Sequence, residues 1–150
     1  MASSTHSVPL IYLFEDNEPD ALLVRMALEK QLTTFELQTA NEGEEAIRLI
    51  DRVDGDLESA PPSIVLLDLN LPRKSGEDIL KKLRTSQRCR TAPVVVISSS
   101  ESPLEKARIR ELGATAYFQK SSDLAEFLQI GSLVQRLLYG STHRLTGSSL

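Results

Sequence analysis

The sequence contains one cysteine, Cys89, and no long apolar stretch. A single cysteine cannot form an internal disulfide, which is typical of proteins in a reducing cytoplasm. A membrane-spanning helix needs about 20 consecutive apolar residues, and no such run is present. The opening residues, MASSTHS, lack the basic and then apolar segments of a secretory signal. We therefore expect a cytoplasmic protein that does not bind membranes.

The chain also lacks a basic stripe. Its formal net charge is −4, which argues against nucleic acid as the main partner. Both histidines, His6 and His143, lie in segments that we predict to be flexible tails, 1–7 and 141–150, so neither is a good candidate for catalysis. Cys89 stands between two arginines in a polar segment, and we interpret it as a stray thiol rather than a nucleophile.

Short apolar runs alternate with longer amphipathic segments along the remaining residues. The apolar runs predict strands at 9–14, 35–40, 63–68, 93–98 and 115–119. The amphipathic segments predict helices at 19–32, 44–53, 76–85, 103–112 and 123–139, the last one capped by Ser121 or Ser122. Five β-α units in strict alternation favour an α/β fold with a doubly wound, five-stranded parallel sheet and five helices. The polar, proline-rich segment 54–63 is predicted to be a long loop.

Polar residues follow the predicted strands at the edge where ligands bind in open α/β sheets. Glu15 and Asp16 follow the first strand, Asp68 ends the third, Ser98 ends the fourth and Lys120 follows the fifth. Carboxylates crowded together repel one another unless a cation is present. Mg²⁺ takes one or two carboxylates and phosphate oxygens, so this set is suited to phosphoryl transfer.

Four motifs in order carry a resemblance to a known family. They are FEDN (14–17), LLDLNLPRKSGEDIL (66–80), PVVVISSS (93–100) and the lysine of YFQK (117–120). With these motifs the chain resembles a response-regulator receiver domain, over about residues 9–138, and we assign 8–140 to that domain. The resemblance implies a flavodoxin-like sheet in the order 2-1-3-4-5. It also implies a signalling protein of a two-component phosphorelay that catalyses only its own phosphorylation and dephosphorylation.

The resemblance assigns a metal site to four residues. Asp16 would bind Mg²⁺ directly, and Glu15 would act through water. Asp68 would be a third ligand, and Asn70 would offer its backbone carbonyl.

The resemblance also assigns the phosphoryl chemistry. Asp68 would be the phosphoacceptor, Ser98 the switch hydroxyl, and Lys120 the lysine that contacts the phosphoryl group. Tyr117 resembles the aromatic switch of the family, although an aromatic side chain packed in the fifth strand explains it equally well.

One departure from the family concerns the residue after the lysine. Most receivers have a proline there with a cis peptide bond, whereas this chain has Ser121. A cis bond before a residue other than proline costs about 2.5–4 kcal/mol, so the Lys120–Ser121 bond could be either cis or trans. Small single-domain regulators that partner phytochrome-type histidine kinases resemble this chain in the Lys-Ser pair, in LDLNLPRK and in the long loop. A phytochrome-type kinase is therefore the expected partner.

The last predicted helix is rich in apolar residues. They would form either a broad core face or an exposed strip for homodimerisation through helix 4, strand 5 and helix 5. Because few residues follow this helix, we expect output through protein contacts rather than a DNA-binding domain.

Two other functions remain open at this point. One is an interaction module that keeps the fold without phosphorylation, although the retention of Asp16, Asp68, Ser98 and Lys120 argues against it. The other is a haloacid-dehalogenase-type phosphatase, because Asp68-Leu69-Asn70 loosely resembles its D-x-D loop. In that group, however, the loop follows the first strand rather than the third.

Overall fold

A computed structural model of the protein describes residues 8–140. The predicted tails 1–7 and 141–150, with His6 and His143, lie outside the described residues. Five parallel strands form one sheet in the order β2-β1-β3-β4-β5. The strands are β1 (Leu10–Phe14), β2 (Glu36–Ala40), β3 (Ile64–Asp68), β4 (Val94–Ser98) and β5 (Ala116–Gln119). The predicted doubly wound sheet and its 2-1-3-4-5 order are therefore confirmed.

The helices alternate with the strands as predicted, and the last helical segment follows β5. They are α1 (Glu18–Gln31), α2 (Gly43–Gly55), α3 (Gly76–Thr85), α4 (Pro103–Glu111), α5 (Leu124–Phe127) and α6 (Ile130–Tyr139). The fifth predicted helix is present as two pieces, α5 and α6. Its predicted serine cap is wrong, because the Asp123 side chain accepts from the Glu126 N–H at 3.2 Å. The Ser121 hydroxyl instead accepts from the Asp123 N–H at 3.0 Å.

The sheet is covered on both faces, which explains the continuous apolar runs in its strands. Alternate residues of β1, β3 and β4 pack on opposite sides. One side, with Tyr12, Val65 and Val96, contacts α2, α3 and Ile109 of α4. The other side contacts buried residues of α1, α5 and α6. The apolar strands are thus fixed between two cores, and their carboxyl ends are held in register.

The loop before β3 covers residues 56–63 rather than the predicted 54–63, because α2 continues to Gly55, and it is tied to the segment before β4. Arg88 Nη1 donates to the backbone carbonyls of Val53, Asp56 and Ser59 at 2.7–2.9 Å. The neighbouring Cys89 is fully buried rather than a thiol in a polar loop, so that interpretation is corrected. Burial raises the pKa of its thiol, which leaves it protonated and unreactive at neutral pH.

Among the described residues, every helix is too short or too polar to cross a bilayer.

The contact between α1 and α6 depends on a glycine. A Cβ at Gly131 would collide with the backbone carbonyl oxygen of Ala27, which side-chain rotation cannot relieve. We expect Gly131→Ala to lower the free energy of unfolding by about 1–3 kcal/mol, measured by urea denaturation. Gly55→Ala is the matched control, because a Cβ at this helical position meets nothing within 4 Å. Equal stability of the two variants would contradict the close α1–α6 packing.

Candidate functional site

The strand ends bring three of the predicted side chains into contact. Asp68 is the last residue of β3 and is 3% exposed, and Glu15, directly after β1, is 5% exposed. Lys120 follows β5 and its backbone N–H donates to the Ser98 carbonyl at 2.8 Å. Because β1 and β5 lie on either side of the β3-β4 pair, their following residues converge on Asp68. The apolar strands therefore carry a cluster of buried charges at their carboxyl ends.

Lys120 is the cation of this cluster. Its Nζ lies 3.1 Å from Glu15 Oε1, 3.1 Å from Asp68 Oδ2 and 2.7 Å from Asp20 Oδ2. One ammonium group thus faces three carboxylates, two of them almost fully buried. Such a group of charges is strongly interdependent, because a buried charge without a partner is costly.

The excess negative charge changes how the carboxyl groups hold protons. Burial, followed by the neighbouring Asp68, raises the pKa of Glu15 to about 8. Burial alone would raise the Asp68 pKa, but hydrogen bonds with Glu15 and the Asn70 N–H, together with Lys120, hold it below its usual value. Burial would lower the Lys120 pKa, but Asp20, Glu15 and Asp68 raise it. At neutral pH the two carboxyl groups of Glu15 and Asp68 therefore keep one proton between them, and it lies mainly on Glu15.

This retained proton has a defined effect on stability. Folding raises the Glu15 pKa from 4.5 to about 8, so the folded state holds more protons than the unfolded state between these values. The contribution of Glu15 to the free energy of unfolding is complete below pH 4.5 and is lost as the pH rises towards 8.

The acidic residues can also hold a metal ion. Ligand oxygens of Glu15, Asp16 and Asp68 all lie within 4.8 Å of one another. Glu15 Oε1 is buried and accepts no hydrogen bond from the described residues, although Lys120 Nζ lies close to it. Asp16 is exposed, which leaves this side of the cluster open to solvent. Carboxylate oxygens with an open side fit a hard divalent cation that keeps some of its water.

Asn70 lies next to these groups. Its backbone N–H donates to Asp68 Oδ1 at 2.9 Å, and its side chain is exposed. This contact orients the Asp68 carboxylate. The role of the Asn70 carbonyl as a metal ligand stays a prediction.

Ser98 and Tyr117 meet at a carboxylate that was not predicted to belong to the site. Ser98 Oγ donates to Glu105 Oε2 at 3.0 Å, and Tyr117 Oη lies 2.8 Å from the same oxygen. Tyr117 Oη is also 2.7 Å from the Ser100 carbonyl oxygen. Lys106 Nζ lies 5.3 Å from the centroid of the Tyr117 ring. Tyr117 is therefore hydrogen-bonded towards the site rather than merely packed in the sheet, and its role as a switch stays a prediction.

Asp20 and Glu105 are the two site residues that the sequence reasoning missed. Asp20 lies in the first turn of α1, close in sequence to Glu15 and Asp16, but no local pattern indicates that it pairs with Lys120. Glu105 stands three residues after Ser102, which caps α4 by accepting from the Glu105 N–H at 3.2 Å. This Ser-x-x-Glu spacing is typical of a capping box, but the Ser102 N–H donates to Ser100 Oγ at 3.0 Å and the Glu105 carboxylate contacts Ser98 and Tyr117 instead.

The Lys120–Ser121 peptide is trans, since the described residues contain no cis peptide bond. The open question about this bond is thereby answered. Lys120 reaches Asp68 from the trans path, with Asp20 as its nearest carboxylate.

The apolar residues of the last helical segment are mostly a core face. Phe127, Ile130 and Val134 are buried, and four leucines pack beside them: Leu128, Leu133, Leu137 and Leu138. Leu124 remains 53% exposed. The four leucines are only partly buried, so an apolar surface remains on this segment and its use in a homodimer stays a prediction.

Comparisons with known proteins agree with this geometry. Residues 11–131 match the family described as the response regulator receiver domain. The response regulator Rcp1 of Synechocystis is 29% identical over 87% of this chain and 88% of its own. The structure of the phosphorylated cyanobacterial phytochrome response regulator RcpA has a TM-score of 0.80 at 28% identity, over 90% of this chain and 96% of its own. The Mn²⁺-bound form of Rcp1 has a TM-score of 0.73 at 26% identity, over 95% and 98%.

The contribution of the Asp20 carboxylate to the site can be tested by its effect on the Lys120 ammonium group. Asp20→Asn removes the nearest of the three carboxylates and should lower the Lys120 pKa, measured by NMR of its side chain. Folding raises the Lys120 pKa above its ordinary value of 10.5, so its contribution to the free energy of unfolding is fully present at pH 7. We therefore also expect Asp20→Asn to lower that free energy by about 1 kcal/mol at pH 7.

Glu18→Gln is the control for this variant. It removes the same charge from the first turn of α1, but Glu18 is exposed and makes no contact with Lys120. If both variants change the Lys120 pKa and the stability equally, Asp20 has no specific role at the site.

Proposed function

Because this chain belongs to the family of response regulator receiver domains, we propose that it accepts a phosphoryl group on Asp68 from a phosphohistidine of a histidine kinase. The observation that carries the proposal is the placement of Asp68. Its carboxylate ends a buried strand, is oriented by the Asn70 N–H, and lies 3.1 Å from the Lys120 ammonium. Its lowered pKa keeps it ionised and ready to act as a nucleophile at neutral pH.

In the proposed phosphoryl transfer, one bond to phosphorus forms and one breaks. An Asp68 carboxylate oxygen attacks the phosphorus atom, and the bond between phosphorus and the imidazole nitrogen of the kinase histidine breaks. The bonding electrons return to that nitrogen. Later attack of water on the phosphorus atom releases inorganic phosphate and restores the carboxylate. Lys120 holds positive charge beside the phosphoryl oxygens in both steps.

We assign Mg²⁺ to the acidic cluster. The ligands would be the carboxylates of Asp16 and Asp68 and the Asn70 carbonyl, with Glu15 acting through water. The ion would neutralise charge on the carboxylates and on the phosphoryl oxygens. The close approach of the Glu15, Asp16 and Asp68 carboxylate oxygens and the exposure of Asp16 support this assignment.

Phosphorylation would change the contacts of both Lys120 and Ser98. A comparable phosphorylated side chain adds a charge of about −1.5 to −2. This charge competes with Asp20 for Lys120 and attracts the Ser98 hydroxyl. Since Ser98 and Tyr117 share Glu105, movement at Ser98 would reach β5 and α4. The output is then a changed protein-interaction surface.

A phytochrome-type histidine kinase is the partner we propose. The support is the similarity to Rcp1 and to the phytochrome response regulator RcpA over most of both chains. Transfer of the phosphoryl group from a phytochrome-type kinase should be faster than transfer from an unrelated histidine kinase, and equal rates would contradict this pairing.

We place the protein in the cytoplasm. Its single cysteine is buried and free, which suits a reducing compartment.

We further propose a homodimer through α4, β5, α5 and α6. Leu104 of α4 is 83% exposed and Leu124 of α5 is 53% exposed, and exposed apolar side chains of this size suit an interface. Sedimentation velocity with and without a phosphoryl donor measures the association, and a monomer in both conditions at high concentration would contradict the dimer.

The phosphoacceptor can be identified directly. We expect the protein to gain one phosphoryl group, measured by mass spectrometry, when it is incubated with acetyl phosphate and Mg²⁺. Asp68→Asn should gain none, and chelation of the metal should reduce labelling of the unchanged protein. Asp78→Asn is the control, because Asp78 is an exposed carboxylate in the first turn of α3. Labelling of Asp68→Asn at the level of Asp78→Asn would rule out Asp68 as the acceptor.

A further inference from the structure

The hydroxyl of Ser98 already has an anionic partner in the unphosphorylated protein. Ser98 is 1% exposed, so its hydroxyl cannot exchange freely with water. It donates to Glu105 Oε2 at 3.0 Å and accepts from the Ser100 N–H at 3.1 Å. A serine hydroxyl has one proton to donate. The contact with Glu105 uses this proton.

Glu105 is held in position to make this contact. The Ser102 hydroxyl accepts from the Glu105 N–H and fixes the start of α4. On the other side, Tyr117 Oη lies 2.8 Å from Glu105 Oε2. One carboxylate oxygen therefore joins the end of β4, the first turn of α4 and the tyrosine of β5.

We propose that Glu105 is a positioning residue that competes with the phosphoryl group for the Ser98 hydroxyl. The inference rests on the proposed function, since it requires a phosphoryl group on Asp68. When that group is present, Ser98 has to leave Glu105 in order to donate to a phosphoryl oxygen. Glu105 thus opposes phosphorylation and couples it to Tyr117.

The coupling to Tyr117 follows from the acceptors within its reach. Tyr117 Oη lies within hydrogen-bond distance of both Glu105 Oε2 and the Ser100 carbonyl oxygen, and it has one proton. A Glu105 carboxylate that has lost Ser98 becomes a stronger acceptor for the remaining hydroxyl. The state of Asp68 therefore changes how firmly Tyr117 is tied to α4.

The experiment measures the binding of beryllofluoride, a phosphoryl mimic, in the presence of Mg²⁺. A tenfold change in affinity corresponds to about 1.4 kcal/mol of binding free energy. We expect Glu105→Ala to bind beryllofluoride about tenfold more tightly than the unchanged protein. Glu105→Gln keeps the shape and a weaker acceptor, and it should bind about threefold more tightly.

Two controls separate this role from a general change in charge or folding. Glu111→Gln removes the same charge from the other end of α4, where Glu111 is exposed, and it should leave the affinity unchanged. In a Ser98→Ala background, Glu105→Gln should have no effect, because the hydroxyl that it competes for is absent. The ring resonances of Tyr117 should shift in Glu105→Gln and not in Glu111→Gln.

The outcomes distinguish the role of Glu105 from the proposed function as a phosphoacceptor. If the unchanged protein binds beryllofluoride but Glu105→Gln and Glu105→Ala match Glu111→Gln, the role of Glu105 is wrong and the proposed function stands. An effect of Glu105→Gln that persists without the Ser98 hydroxyl would also overturn the competition. If the unchanged protein neither binds beryllofluoride nor becomes phosphorylated, the proposed function fails and the role of Glu105 fails with it.

Discussion

The ion-pair cluster around Lys120 is the constraint on which the site depends. One ammonium group lies within 3.1 Å of oxygens from Glu15, Asp20 and Asp68. Burial and the neighbouring Asp68 raise the pKa of Glu15, so the cluster retains a proton, and its excess of carboxylates offers a place for a second cation. Both properties follow from charge excess in a buried position. The same excess would make the cluster responsive to a phosphoryl group, which brings still more negative charge.

The fold supplies the rigidity that makes this crowding possible. Asp68 stands at the end of a strand whose other residues are fully buried between two cores. Its carboxylate is therefore carried to the rim by an element that cannot move away from its neighbours. The loops after β1 and β5 bring Glu15 and Lys120 to the same point. Strand packing thus contributes the position, and the charged groups contribute the chemistry.

The sequence predicts the fold well because alternating apolar and amphipathic segments leave few arrangements. Glu15, Asp16, Asp68 and Lys120 could be predicted as neighbours, because strand ends in a parallel sheet share one edge. Asp20 could not be predicted from periodicity alone, since an acid in the first turn of a helix already has a favourable role with the helix dipole.

Other features depend on tertiary contacts that no local pattern specifies. Glu105 stands at the capping-box position after Ser102, and nothing in that local pattern indicates its link to Ser98 and Tyr117. The burial of Cys89 depends on how the segment around Arg88 packs against the long loop, and its polar neighbours gave the opposite impression. The last helical segment is apolar enough for either a core face or an interface, and only its packing on α1 separates the two.

Our central claim is that the buried carboxylate of Asp68 is tolerated because a proton and a cation offset the negative charge of the cluster around it. Calorimetric titration with Mg²⁺, in buffers of different ionisation enthalpy, tests this by counting the protons released per ion bound. With the Glu15 pKa at about 8, the account predicts about one proton released at pH 7 and almost none at pH 9.5. Absence of Mg²⁺ binding, or equal proton release at the two pH values, would contradict it.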